Sequence, residues 1–173
     1  MKATELLTKQ HQEVARLFKS IESAQRGEEK QALFLELAGN LCAHDAIERQ
    51  IFYPACEEAM GLKGELGEAL VEHGVIEFCL YQAHEALGKA DFEFKCTVLK
   101  EVVEHHVKEE QDEFFPQVEK KLGKDTLEQL ADDMADAFED ALAEDFQAPL
   151  YENLRQVFAG ILEPSPKAKR QSA

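Results

Sequence analysis

Apolar residues return at steps of three and four along nearly the whole chain, the period of an α-helix with one buried face. Leu7, Val14, Phe18 and Ile21 mark such a stripe between Thr4 and Gln25, and Gly27 punctuates the first turn. A second helix runs on to about Tyr53 with Leu37, Leu41 and Ile51 inward, where Pro54 is placed to kink or end it. After GLKG at 61–64, a third helix carries Leu66, Leu70, Leu80 and Leu87 as far as GKAD at 88–91. The fourth, about 92–121, carries Leu99, Val103 and Phe114. Short turns between long amphipathic helices make sequential helices antiparallel neighbours. The expectation is an all-α fold, an up-down-up-down four-helix bundle over residues 1–122, with two additional C-terminal helices. Leu127, Leu130, Met134, Phe138 and Ala141 lie on one side of a fifth helix, whose other side is acidic, and Leu150, Leu154, Val157, Phe158 and Ile161 mark a sixth at about 150–162. This extension, 123–163, is expected to cap the bundle or to form a subunit interface, which would make a homodimer; 164–173 reads as a disordered tail.

The stripes are not wholly apolar. His11 falls on the first, His44 and Glu48 on the second, His73 and Glu77 on the third, His106 and Glu110 on the fourth. Three of the four helices thus turn a His and a Glu inward at i,i+4, one face and about one turn apart. In an antiparallel hairpin, residues equally far from the turn sit at one level. His11 and His44 stand 16 and 17 residues either side of Gly27. The pairs 44/77 and 48/73 share a midpoint between Met60 and Gly61, and 73/110 and 77/106 share one between Asp91 and Phe92. All seven side chains therefore converge on one slab of the bundle. Buried without partners they would cost several kcal/mol each against a margin of about 5–15 kcal/mol. They are paired, or they hold a cation.

Composition narrows the chemistry. The 35 acidic against 19 basic residues give a formal charge of −16, which repels phosphate backbones and anionic membranes, so neither nucleic acid nor membrane is expected as a partner. No apolar run approaches the ~20 residues of a membrane span, and MKATELLTKQ lacks the core of a signal peptide. Cys42, Cys56, Cys79 and Cys96 form no C-x-x-C and sit singly on apolar segments, as reduced thiols of a cytoplasmic protein would. A metal site must then be built from His and carboxylate. Four His and three Glu exceed the needs of one tetrahedral zinc; they suit two six-coordinate ions, bridged by carboxylates, that leave a position for water or a small ligand. Iron, manganese or zinc fits such donors. The Glu-x-x-His spacing of ferritin-like bundles is absent at all six histidines.

A repeat sharpens the pattern. HDAIERQIFYP from His44 and HHVKEEQDEFFP from His105 align by Pro54 and Pro116, so that His44 falls on His106 and Glu48 on Glu110. The series of a lone His, His-x-x-x-Glu, a third-helix His, and His-x-x-x-Glu followed by Phe-Phe-Pro resembles hemerythrin-like (HHE cation-binding) domains, over roughly residues 3–121. The resemblance implies a four-helix bundle with a non-haem di-iron centre for oxygen or related small ligands. Within it Glu48 and Glu110 match the bridging carboxylates, and His11, His44, His73 and His106 the terminal imidazoles. Oxygen-carrying members have a second histidine on the third helix where this chain has Glu77. An anionic oxygen donor favours ferric over ferrous iron, which points away from reversible carriage and toward redox chemistry, sensing or metal handling. The leading expectation is a protein that binds, senses or reduces oxygen, peroxide or nitric oxide. An iron buffer or sensor without catalysis, and an interaction module holding a redox-inert ion such as zinc, stand beside it. Away from this set, His84 reads as structural and His105 as a rim residue. Asp45 is a hydrogen-bond partner to the ligands or a solvated residue. Phe52, Tyr53, Phe114 and Phe115 pack the bundle's end, Tyr53 also being able to hydrogen-bond a bound ligand.

Overall fold

The computed structural model describes residues 1–61 and 64–160, all-helical within that range. Leu62 and Lys63 of the second turn, the end of the sixth helix and the tail lie outside the described residues. Helix α1 (Ala3–Ser23) opens with the Glu5 carboxylate accepting the backbone N–H of Lys2 at 3.0 Å. The second rod is α2 (Gly27–Ile47), a π-helical turn (Glu48–Phe52) and α3 (Tyr53–Met60). The third is α4 (Gly64–His84), and the fourth is α5 (Phe92–Glu109), a second π-turn (Glu110–Phe114) and α6 (Phe115–Leu122).

The prolines neither end nor visibly interrupt their rods. A proline lacks an N–H, and its ring crowds the carbonyl four residues back. In both rods the chain widens just before it: Tyr53 N–H reaches Glu48 O, and Phe115 N–H reaches Glu110 O, five residues apart in each case. A π-turn of this kind absorbs one extra residue, and such turns gather at functional sites. The sequence repeat is thus a structural repeat, and it extends to Gly61 and Gly123, which end α3 and α6 at φ 75° where a side chain would be strained.

Packing divides the interior in two. One core gathers Leu17, Phe34, Leu37, Leu80 and Leu99; the other gathers Leu7, Phe52, Leu66, Phe114 and Val118. Between them lie the polar residues of the stripes. The extension packs on the bundle. α7 (Lys124–Ala143) lays Leu127, Ala131 and Met134 into the second core against α1 and α2, its Asp132, Asp133 and Asp136 facing outward. α8 (Gln147–Phe158) sets Leu150 and Leu154 into the first, over α4, where Gly74 leaves room for Val157. No helix among the described residues is long and apolar enough to cross a membrane.

Candidate metal centre

Each of the four rods delivers an imidazole to one point. His11 Nε2 and His44 Nε2 are 3.1 Å apart, and His73 Nε2 and His106 Nε2 are 3.0 Å apart. The two glutamates stand between these pairs. Glu48 Oε2 is 3.2 Å from His44 Nε2 and 3.3 Å from His73 Nε2, while Glu110 Oε2 is 3.4 Å from His11 Nε2 and 3.7 Å from His106 Nε2. All six residues are at most 6% exposed. Donors held about 2.0–2.2 Å from one cation lie about 3.0–3.5 Å from each other, which is the spacing found. The donors fall into two overlapping sets, His11, His44, Glu48 and Glu110, and Glu48, His73 and His106.

The outer nitrogen of each of these four histidines is held by the neighbouring rod. Gln10 of α1 meets His44 Nδ1 at 2.8 Å, Asp45 of α2 meets His73 Nδ1 at 2.5 Å, and Glu72 of α4 meets His106 Nδ1 at 2.8 Å. Gln111 of the second π-turn closes the circle on His11 Nδ1 at 2.9 Å, through an amide that serves either tautomer by turning over. Where Nδ1–H donates outward, the Nε2 lone pair faces the centre, the form in which an imidazole binds a metal.

Two residues depart from expectation. Glu77 converges on the same level but lies outside both donor sets. Arg49 Nη2 donates to its Oε2 at 3.3 Å and Asn153 Nδ2 to its Oε1 at 2.6 Å. Asn153 comes from α8 and also reaches Asp45 Oδ2 at 3.1 Å, while Arg49 Nε donates to Asp45 Oδ1 at 2.7 Å. The stripe set the face and level of Glu77 correctly; a buried arginine on the next rod takes its carboxylate. Tyr53 moves the other way, from packing residue to the centre itself. Its hydroxyl donates to Glu110 Oε1 at 3.1 Å and lies 2.8 Å from His73 Nε2. The counterpart in the repeat is Phe115, whose ring stacks on His11 at 6.0 Å, so the two positions are chemically unequal. His84 packs against Phe146, and His105 is exposed, both away from the centre.

Without a cation the group is electrostatically unresolved. Among the described residues no hydrogen-bond donor reaches either oxygen of Glu48 or Oε2 of Glu110, although buried carboxylates ordinarily have one. Burial, reinforced by the Glu110 charge, pushes Glu48 well above the usual carboxylate range. Burial acts the same way on Glu110, but the imidazoles of His11 and His106 outweigh it and hold that carboxyl down at about 2. Burial also drives His44 and His73 downward. On His106 burial is overcome by Glu72 and Glu110, which raise it. Two cations placed among these donors would satisfy the stranded oxygens and the crowded Nε2 atoms together. The residues fit.

The same shifts set a pH dependence for the metal-free protein. Above about pH 7.5 His44 and His73, which burial drives downward, are neutral both folded and unfolded. There the folded chain retains protons longer than the unfolded one on Glu48 and His106, both shifted upward, and on Glu77, which burial and Asp45 push up to about 8. The native state binding more protons means that stability falls as pH rises. Urea midpoints of the metal-free protein are expected to drop from about pH 7.5 to about 9, as Glu77 titrates in the folded chain. Metal affinity should rise over the same range, because binding expels those protons.

An apolar cavity of about 30 Å³ adjoins the imidazoles, walled by Val14, Leu41, Ile76, Leu80, Val103 and Val107. It has room for a single water-sized molecule.

The profile of the hemerythrin HHE cation binding domain matches residues 2–118. Among solved structures, a hemerythrin HHE cation-binding domain-containing protein from Mycobacterium kansasii superposes with a TM-score of 0.76 at 27% identity, covering 89% of this chain and 99% of that one. Comparison with curated proteins yields no match.

Proposed function

The chain belongs to the hemerythrin HHE cation-binding family, and from that premise we propose that Glu48, Glu110, His11, His44, His73 and His106 would hold two iron ions, which would supply electron exchange with oxygen, peroxide or nitric oxide. The observation that carries this reading is the pair of buried glutamates with donorless oxygens set between two pairs of inward Nε2 atoms. The two carboxylates would bring negative charge that offsets much of the charge of two divalent ions, and the four imidazoles would complete the donor set. A bound iron pair supplies one-electron steps and an open coordination position.

The rest is the work of this chain's own side chains. Tyr53, placed beside His73 and Glu110, gives the His73/His106 position an oxygen donor that the His11/His44 position lacks. Burial raises the Tyr53 hydroxyl well above its ordinary range while no cation is near; a cation reverses that preference and favours the phenolate. The anionic oxygen that discourages reversible carriage is therefore Tyr53 rather than Glu77. The cavity beside the imidazoles, walled largely by aliphatic side chains, has room for a molecule of two or three atoms. Asp45, Glu72, Gln10 and Gln111 keep the imidazoles aimed as the ions change charge.

The deciding experiment is metal analysis of the purified protein with visible spectra before and after dithionite and then air. About two irons per chain, with an absorption that bleaches on reduction and returns in air, is the expected result. One zinc, or no spectral response after iron loading, would reject the redox reading.

A further inference from the structure

A narrow cleft of about 20 Å³ runs between α4 and the fourth rod, walled by Glu65, Glu68, Glu72, Glu109 and Glu113. No lysine or arginine among the described residues lines it. Its lining also includes His106 and Glu110, the latter 2% exposed and with an oxygen without a donor. Glu72 and Glu109 of its lining form a second donor cluster with the exposed His105. His105 Nε2 lies 3.3 Å from Glu72 Oε1 and 3.3 Å from Glu109 Oε1, and the three ligand atoms meet within 4.8 Å. That spacing again matches donors about 2.0–2.2 Å from one cation. Glu72 joins this cluster to the buried centre, since its other oxygen is the one that holds His106 Nδ1 at 2.8 Å.

We propose that Glu72, His105 and Glu109 form an outer divalent-cation site at the mouth of this cleft, from which ions pass inward to the buried centre. The proposal rests on the reading that the buried cluster binds cations. One imidazole and two carboxylates suit an ion still carrying part of its water shell, and hence a transit site weaker than the six-donor centre. The glutamate walls between low-dielectric helices focus a field that raises the local cation concentration by about 10–10³. The cleft's volume of about 20 Å³ has room for a single water-sized species.

The test uses the full-length metal-free chain with Co(II), whose visible bands report coordination without redox chemistry. In the His105→Ala/Glu109→Ala protein the rise of the buried-centre bands at low Co(II) is expected to slow about tenfold. The plateau stays at two ions, and a third, weaker equivalent seen in the parent by equilibrium dialysis disappears. His105 and Glu109 are 63% and 43% exposed, so thermal melts should be unchanged. Glu101→Gln, which removes one charge from the same helix outside the cleft, is expected to load at the parental rate. Loading at the parental rate in the double variant overturns the outer site while leaving the buried centre standing. Equal slowing in Glu101→Gln overturns it too, because surface charge alone would then account for the rate. A parental chain that binds no Co(II) overturns the buried centre and the outer site together.

Discussion

Glu48→Gln is expected to abolish cation binding at both positions while leaving the metal-free protein folded. Glu48 is the one residue in both donor sets, reaching His44 on one side and His73 on the other. An amide keeps the shape, but it brings no negative charge and can present only one oxygen. Affinity at each position should fall by more than about 100-fold, beyond the 10–100-fold typical of losing a residue that merely supports a ligand. The metal-free protein should stay within about 1 kcal/mol of the parent, because burial already pushes Glu48 toward its neutral form and it already lacks donors. Thermal melts with metal make the contrast visible. A ligand at 100 times its dissociation constant stabilises the parent by about 2.7 kcal/mol, or about 5–11 °C for a chain of this size. The variant should gain nothing. Two ions retained by Glu48→Gln would place the bridge elsewhere.

Asp45→Ala should be the most damaging change to the metal-free fold. Asp45 carries His73, Arg49 and Asn153 on its two oxygens, and Arg49 is only 8% exposed. Removing one partner of a buried ion pair costs about 3–5 kcal/mol. The lower end is expected here, because Glu77, relieved of the Asp45 charge that helps keep it protonated, can ionise against Arg49. Urea unfolding gives that figure. Calorimetric titration should show a second, selective effect. Cation affinity at the His73/His106 position falls 10–100-fold, and the His11/His44 position, whose outer nitrogens are held by Gln10 and Gln111, keeps its own. Asp45→Asn retains an acceptor for His73 and should recover part of the affinity but little of the stability. Equal loss at both positions would mean that Asp45 acts through the fold alone.

Much of this was legible in the sequence, since a period of 3.6 fixes which face a residue takes and hairpin symmetry fixes its level. Those two coordinates brought His11, His44, Glu48, His73, His106 and Glu110 within contact distance. They do not say what stands across the interior. Glu77 shares the level, and its fate was decided by Arg49, and by Asn153 from a helix whose docking face no periodicity specifies. The π-turns were hidden for a different reason. Proline reads as a stop, and only the identical Glu…Pro spacing in the two repeats signals that both rods adapt in one way. That signal would also have moved Tyr53, because one extra residue in the turn carries the next side chain round the helix. A histidine ten residues before each proline was visible, and so was the tyrosine before one of them; that Tyr53 meets His73 was not.

The circle of outer hydrogen bonds, Gln10 to His44, Asp45 to His73, Glu72 to His106 and Gln111 to His11, has a consequence for how the chain can be rearranged. Each rod is keyed to the next at one depth, and the last is keyed to the first. Sliding any rod by a helical turn, about 5.4 Å, breaks two keys at once. Register is thus written into the interior at the level of the donors, and the connecting turns need only reach. A bundle locked in this manner tolerates lengthened connections, and even new chain ends opened between Ser23 and Gly27, with its donor set still aligned.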